Sequence, residues 1–95
     1  MQRFYVYVLL SMKDRKFYIG FTNNLKNRLS QHAKGEVVST KKRRPFKLIH
    51  YEYFINESDA KAREVFLKSG GGHDQLSHIL KRTSEVMFPR SEISL

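Results

Sequence analysis

The chain has 95 residues, 40% of them hydrophobic and 13% aromatic, which suits one globular domain with a modest core and excludes a disordered chain. It has no cysteine, so disulfides and thiolate metal sites are excluded. Eighteen Lys and Arg against nine Asp and Glu leave a net charge of +9, which favours a polyanionic partner, nucleic acid before an anionic membrane surface.

The opening MQRFYVYVLLSMKD has no small-residue cleavage site and only a short apolar stretch. No run approaches the roughly 20 apolar residues that cross a bilayer, so a soluble, cytoplasmic protein without membrane contact is expected. RFYVYVLLS, residues 3–11, alternates two apolar sets and reads as a strand. The polar MKDRK turns the chain into FYIGFT, a second strand antiparallel to the first. Side chains alternate between the faces of a strand, so Tyr5, Tyr7 and Leu9 share one face of the first strand and Tyr18 and Gly20 share one face of the second. Asn23 or Asn24 caps a helix, LKNRLSQHAK, which Gly35 stops. Its apolar stripe is Leu25, Leu29 and Ala33, with His32 inside the stripe and Arg28 on its border.

EVVSTKKRRP is a basic loop, and FKLIHYEYF alternates again as a third strand. Asn56 or Ser58 caps a second helix, DAKAREVFLKS, which ends at the glycines 70–72. Glu64 lies at the edge of its apolar arc, beside Ala60 and Leu67. HDQLSHILKR is a short third helix, and residues 83–95 form a weakly structured tail after a domain at 1–82. The order ββαβαα predicts an α+β fold, a three-stranded antiparallel sheet flanked by helices.

Each candidate residue has a plain structural reading beside its chemical one. Tyr7 and Tyr18 suit cross-strand packing, yet with Gly20 they also make two phenols beside a place where a substrate backbone can approach. Arg28 and His32, one helical turn apart, read either as a surface arginine and a core histidine or as an anion clamp with an acid–base group. Glu64 pairs with Lys68 or anchors a Mg²⁺ that keeps most of its waters. Lys41, Lys42, Arg43 and Arg44 form a solvated loop or contact phosphates. The histidines have no metal-ligand spacing, which argues against zinc.

Taken together, YVY at 5–7, YIG at 18–20, Arg28, His32 and Glu64 resemble the GIY-YIG nuclease superfamily, especially small bacterial members similar to the nuclease domain of excision-repair endonucleases. Tyr5 stands at the family's first glycine, and Phe21 where some relatives carry lysine. The resemblance implies hydrolysis of a DNA phosphodiester with one divalent metal, Mg²⁺ or Mn²⁺, in DNA repair or processing. Glu64 would hold the metal and one of Tyr7 and Tyr18 would activate water. Arg28 would stabilise the charge on phosphate, His32 would orient the water–tyrosine pair, and Gly20 would clear room for phosphate. Lys41, Lys42, Arg43, Arg44 and Lys47 would contact the DNA backbone without reading sequence, so targeting would come from DNA structure or a protein partner. The alternative is a nucleic-acid-binding module of the same fold with weak or lost catalysis.

Overall fold

The computed structural model describes residues 2–89. Its elements run β1 (Phe4–Ser11), β2 (Phe17–Thr22), α1 (Leu25–Lys34), a 3₁₀ turn (Lys41–Arg43), β3 (Phe46–Phe54), α2 (Glu57–Leu67), α3 (Gly70–Ile79) and α4 (Lys81–Met87). The chain divides into two compact units, Met1–Val65 and Phe66–Leu95.

The first unit holds the sheet, an antiparallel three-stranded one in the order β2-β1-β3. A central strand has a neighbour on each side, and β1 is accordingly buried at every residue except Tyr5. Phe4, Val6 and Val8 leave one face of it, Tyr7 and Leu9 the other. Phe4 stacks on Phe21 with ring centres 6.1 Å apart. The β1–β2 register is unbroken and sets Tyr7 opposite Gly20 and Leu9 opposite Tyr18. Against β3 the register shifts between Val8 and Leu9, because Ile49 is an extra residue between the partners His50 and Leu48.

Polar groups close the turns. Ser11 Oγ accepts the amides of Lys13 and Asp14 (both 3.1 Å) and donates to the Arg43 carbonyl at 2.7 Å, which ties the β1–β2 loop to the 3₁₀ turn. Asn24 is the N-cap of α1, its side chain accepting from the Asn27 amide at 3.0 Å. Gly35 ends α1 at φ 77°, and a Cβ there would lie 2.7 Å from Arg44 Cζ. Arg44 donates to the Ala33 carbonyl at 3.2 Å and so satisfies one of the bare carbonyls at the helix end. Between β3 and α2, Arg63 grips Glu52 with two bonds of 2.9 and 3.1 Å, and His50 adds a third at 3.0 Å. Burial raises the Glu52 pKa, but these three bonds outweigh it and hold the carboxyl below its usual value.

The second unit contains α3, α4 and the end of α2, with Leu67, Leu76 and Leu80 buried. Two expectations fail here. Glycines 70–72 open α3 instead of stopping α2, because Ser69 caps the new helix by accepting from the Gly72 amide at 3.2 Å. Gly72 also packs so closely on the Phe66 carbonyl that a Cβ would overlap it. Residues 83–87, expected as tail, are helical within α4. Residues 90–95 of the expected tail lie outside the described residues.

Candidate active site

Tyr7 is at the centre of the site, 1% exposed. Its phenol crosses from β1 over Gly20 on β2: a Cβ on Gly20 would overlap Tyr7 Cζ and the hydroxyl and lie 2.8 Å from Cε1. This corrects one expectation. The space left by the missing Gly20 side chain is filled by the Tyr7 ring, not left open to a substrate backbone.

The Tyr7 hydroxyl is 2.7 Å from His32 Nε2, and His32 Nδ1 is 2.8 Å from Thr40 Oγ1. Thr40 in turn donates to the Val37 carbonyl at 3.4 Å. Since the Thr40 proton points to Val37, Thr40 Oγ1 accepts from His32 Nδ1–H. Nε2 of the neutral ring is then the acceptor, and the Tyr7 O–H donates to it. His32 is 2% exposed and is the buried residue of α1, whereas Ala33, expected in the apolar stripe, is exposed. Burial first, and the charge of Arg28 second, hold the His32 pKa below its ordinary 6.5, which keeps the ring neutral.

The Tyr7 phenol is pushed above its ordinary 10, chiefly by burial. A hydrogen bond from Arg28 pulls it back, the charges of Tyr18 and Glu64 add to the rise, and the result stays raised. The Arg28 guanidinium and the carboxylate of the half-buried Glu64 thus both act electrostatically on the Tyr7 phenol. Arg28 donates to Gln31 Oε1 at 3.0 Å, which fixes its reach along α1. The Tyr18 ring stands edge-on to His32 at 5.2 Å and 6.4 Å from Tyr7, and the Ser39 hydroxyl reaches the Tyr18 oxygen at 3.4 Å. Tyr7, Tyr18, Arg28, His32 and Glu64 are therefore gathered within the first unit, around one phenol.

The basic residues divide. Arg43 forks onto Asp14 with bonds of 2.6 and 3.2 Å, and this pair holds the Asp14 carboxyl well below the usual range. Arg44 caps α1. Lys47 pairs with Leu10 and so leaves the sheet on the face away from Tyr7. Lys41 and Lys42 are exposed. The sequence reading missed Thr40 and Gln31. Nothing in VVST singles out Thr40 as the partner of a histidine eight residues earlier, whereas Gln31, three residues after Arg28, was a visible (i, i+3) partner.

Among the described residues no group of three or more His, Cys, Asp or Glu could hold a metal. The donor set suits a cation content with one protein carboxylate, waters and substrate oxygens, which is the habit of Mg²⁺ and not of structural zinc. No described helix is long and apolar enough to cross a membrane.

A family model described as the GIY-YIG catalytic domain matches residues 3–73. A UPF0213 protein of Clostridium perfringens is 35% identical over 96% of this chain and 98% of its own length. A UPF0213 protein of Pediococcus acidilactici is 38% identical over 80% of each chain. The solution structure of a UPF0213 protein from Bacillus halodurans superposes with a TM-score of 0.52 at 31% identity, covering 81% of this chain and 84% of that one.

Proposed function

The chain belongs to the GIY-YIG family, and from that premise we propose that it is a divalent-cation-dependent endonuclease that hydrolyses DNA phosphodiesters. The observation that carries this reading is the buried chain Tyr7–His32–Thr40, with a guanidinium and a carboxylate acting on the same phenol. A tyrosine packed only for stability needs neither charge beside its oxygen.

Tyr7 is the proton acceptor. With its pKa raised it is a neutral phenol at pH 7 and a poor base by itself. It becomes effective because its own proton already points at a neutral imidazole. As water attacks phosphorus, the water proton moves to the Tyr7 oxygen while the Tyr7 proton passes to His32 Nε2. Thr40 keeps His32 Nδ1–H occupied, so Nε2 stays free to receive that proton. Arg28 stabilises the negative charge that gathers on the phosphate oxygens in the transition state. The Tyr18 hydroxyl lies at the less buried side of the site, where it orients the water or a phosphate oxygen. Glu64 is the residue that would hold the cation, which when bound neutralises phosphate charge and stabilises the leaving oxygen.

The test is cleavage of duplex, single-stranded, flapped and branched DNA with Mg²⁺, Mn²⁺ or chelator, wild type beside Glu64→Ala. Metal-dependent cutting that Glu64→Ala abolishes, with binding kept or tightened, is the expected result. Salt-sensitive binding by the wild type with no cutting of any substrate would make the chain a binding module instead.

A further inference from the structure

The sheet face that carries Tyr7 continues beyond the site as an aromatic surface. Tyr5 stands two residues before Tyr7 on β1, and across β3 Tyr53 is opposite Tyr5 and Tyr51 opposite Tyr7. Residues directly opposite share a face, so all of these rings rise on the Tyr7 side. Tyr51 and Tyr53 are 52% and 47% exposed, with ring centres 6.0 and 5.6 Å from that of Tyr5. Cross-strand packing explains why the rings touch. It does not explain leaving half of two aromatic side chains in water beside a catalytic centre.

This face meets the Glu64 carboxylate, from α2, at the Tyr7 phenol. Its strand positions carry no carboxylate: Glu52, the acid of β3, is opposite Val6, on the other face, and is engaged by Arg63 and His50. At the other end of β1, Leu9, Leu48 and Phe46 floor a groove of about 770 Å³ whose rim carries Lys13, Lys41 and Lys42. One surface thus presents, in order along β1, an apolar groove edged with cations, the Tyr7 site, and a tyrosine platform.

We propose that this face binds unpaired nucleobases, stacked on Tyr51 and Tyr53, so that the strand delivered to Tyr7 is single-stranded. The inference rests on the reading of the site as a nucleic-acid hydrolase and adds the class of substrate. Every base has a flat π-face that stacks on an aromatic ring whatever its identity, and a closed duplex has those faces already covered. The lysines take the phosphates of the same strand, which the platform cannot do. The sugar is not read by stacking, so RNA and DNA single strands are both ligands of this surface.

The test is binding in the presence of chelator, with a short thymidylate oligomer alone or paired with its complement. The proteins are the full chain, Tyr51→Val, Tyr53→Val and the matching Phe variants; valine keeps strand preference while removing the ring. The chain has no tryptophan, so tyrosine emission reports stacking directly. The single strand is expected to bind more tightly than the duplex and to quench that emission. Each valine variant should lose about 10-fold in single-strand affinity and little in duplex affinity, while the Phe variants bind like wild type. Equal affinity for duplex and single strand, or valine variants that bind like wild type, would overturn the platform. So would a wild-type dimer in light scattering that the valine variants dissociate, since a second copy would then cover the face. No cleavage enters this readout: a platform that quenches in a chain that cuts nothing removes the hydrolase reading alone, and cutting by a chain whose valine variants bind normally removes the platform alone.

Discussion

Gly20→Ala separates the two uses of that glycine. The new methyl would overlap the Tyr7 Cζ and hydroxyl, and Tyr7 is 1% exposed, with the His32 and Tyr18 rings 5.6 and 6.4 Å away. The phenol cannot step aside without strain, typically about 1–3 kcal/mol for an overpacked core. Moving it also breaks the bond to His32 Nε2 and leaves a buried acceptor bare, roughly 1–3 kcal/mol more. Replacing glycine in a strand returns about 0.5–1 kcal/mol through the unfolded chain. The net loss is on the order of 2–4 kcal/mol, which for a domain of this size lowers Tm by about 10–25 °C. The assay is denaturant unfolding of Gly20→Ala, Tyr7→Ala and the double variant. On the Tyr7→Ala background the clash is gone, so Gly20→Ala should cost nothing or stabilise slightly, a coupling of roughly 2 kcal/mol or more. An equal cost on both backgrounds would refute the reasoning. So would a Gly20→Ala protein of wild-type stability that binds DNA poorly, since the glycine would then serve the substrate.

Three further outcomes follow from the same geometry. Because burial holds folded His32 below 6.5, cleavage should persist somewhat below that pH and fail only as the pH drops through the lowered value, measured as kcat against pH. In that window the unfolded chain binds more protons than the folded one, so stability should also fall as the pH falls below about 6.5; a flat acid limb in both profiles would contradict a neutral buried His32. Thr40→Val removes the acceptor of His32 Nδ1–H, and kcat should drop about 10-fold or more with DNA affinity unchanged, while urea unfolding shows a loss of about 1–3 kcal/mol. Lys41→Ala and Lys42→Ala should each flatten the salt dependence of DNA binding by about one unit of slope, whereas Arg43→Ala, which breaks the fork to Asp14, should leave the slope alone and loosen the turn. An Arg43→Ala slope that falls as far as the lysine variants' would return Arg43 to the phosphate-binding set.

By itself the sequence determined what depends on neighbours in the chain. Period-2 alternation marked β2 at 17–22 and β3 at 46–54, and placed Tyr7, Tyr18 and Gly20 so that antiparallel pairing had to bring them to one face. Asn23 or Asn24 and Gly35 bounded α1 to within a residue, because capping is a contact between residues three or four apart, and the cap is Asn24. The glycines 70–72 misled, since low helix propensity is local evidence that a serine cap and a close backbone approach overrode. Only tertiary structure could decide what each polar group does once the sheet has closed. His32 found Tyr7 across 25 residues of chain and Thr40 beyond a loop, so a histidine that by itself read as core became both buried and hydrogen-bonded at each nitrogen. The same closure gave Arg43 to Asp14 and Arg44 to the end of α1, removing two charges from a run of four that composition counted alike. Charge and periodicity are sums over the chain; a partner is a single geometry, and it exists only after folding has paired residues far apart in sequence.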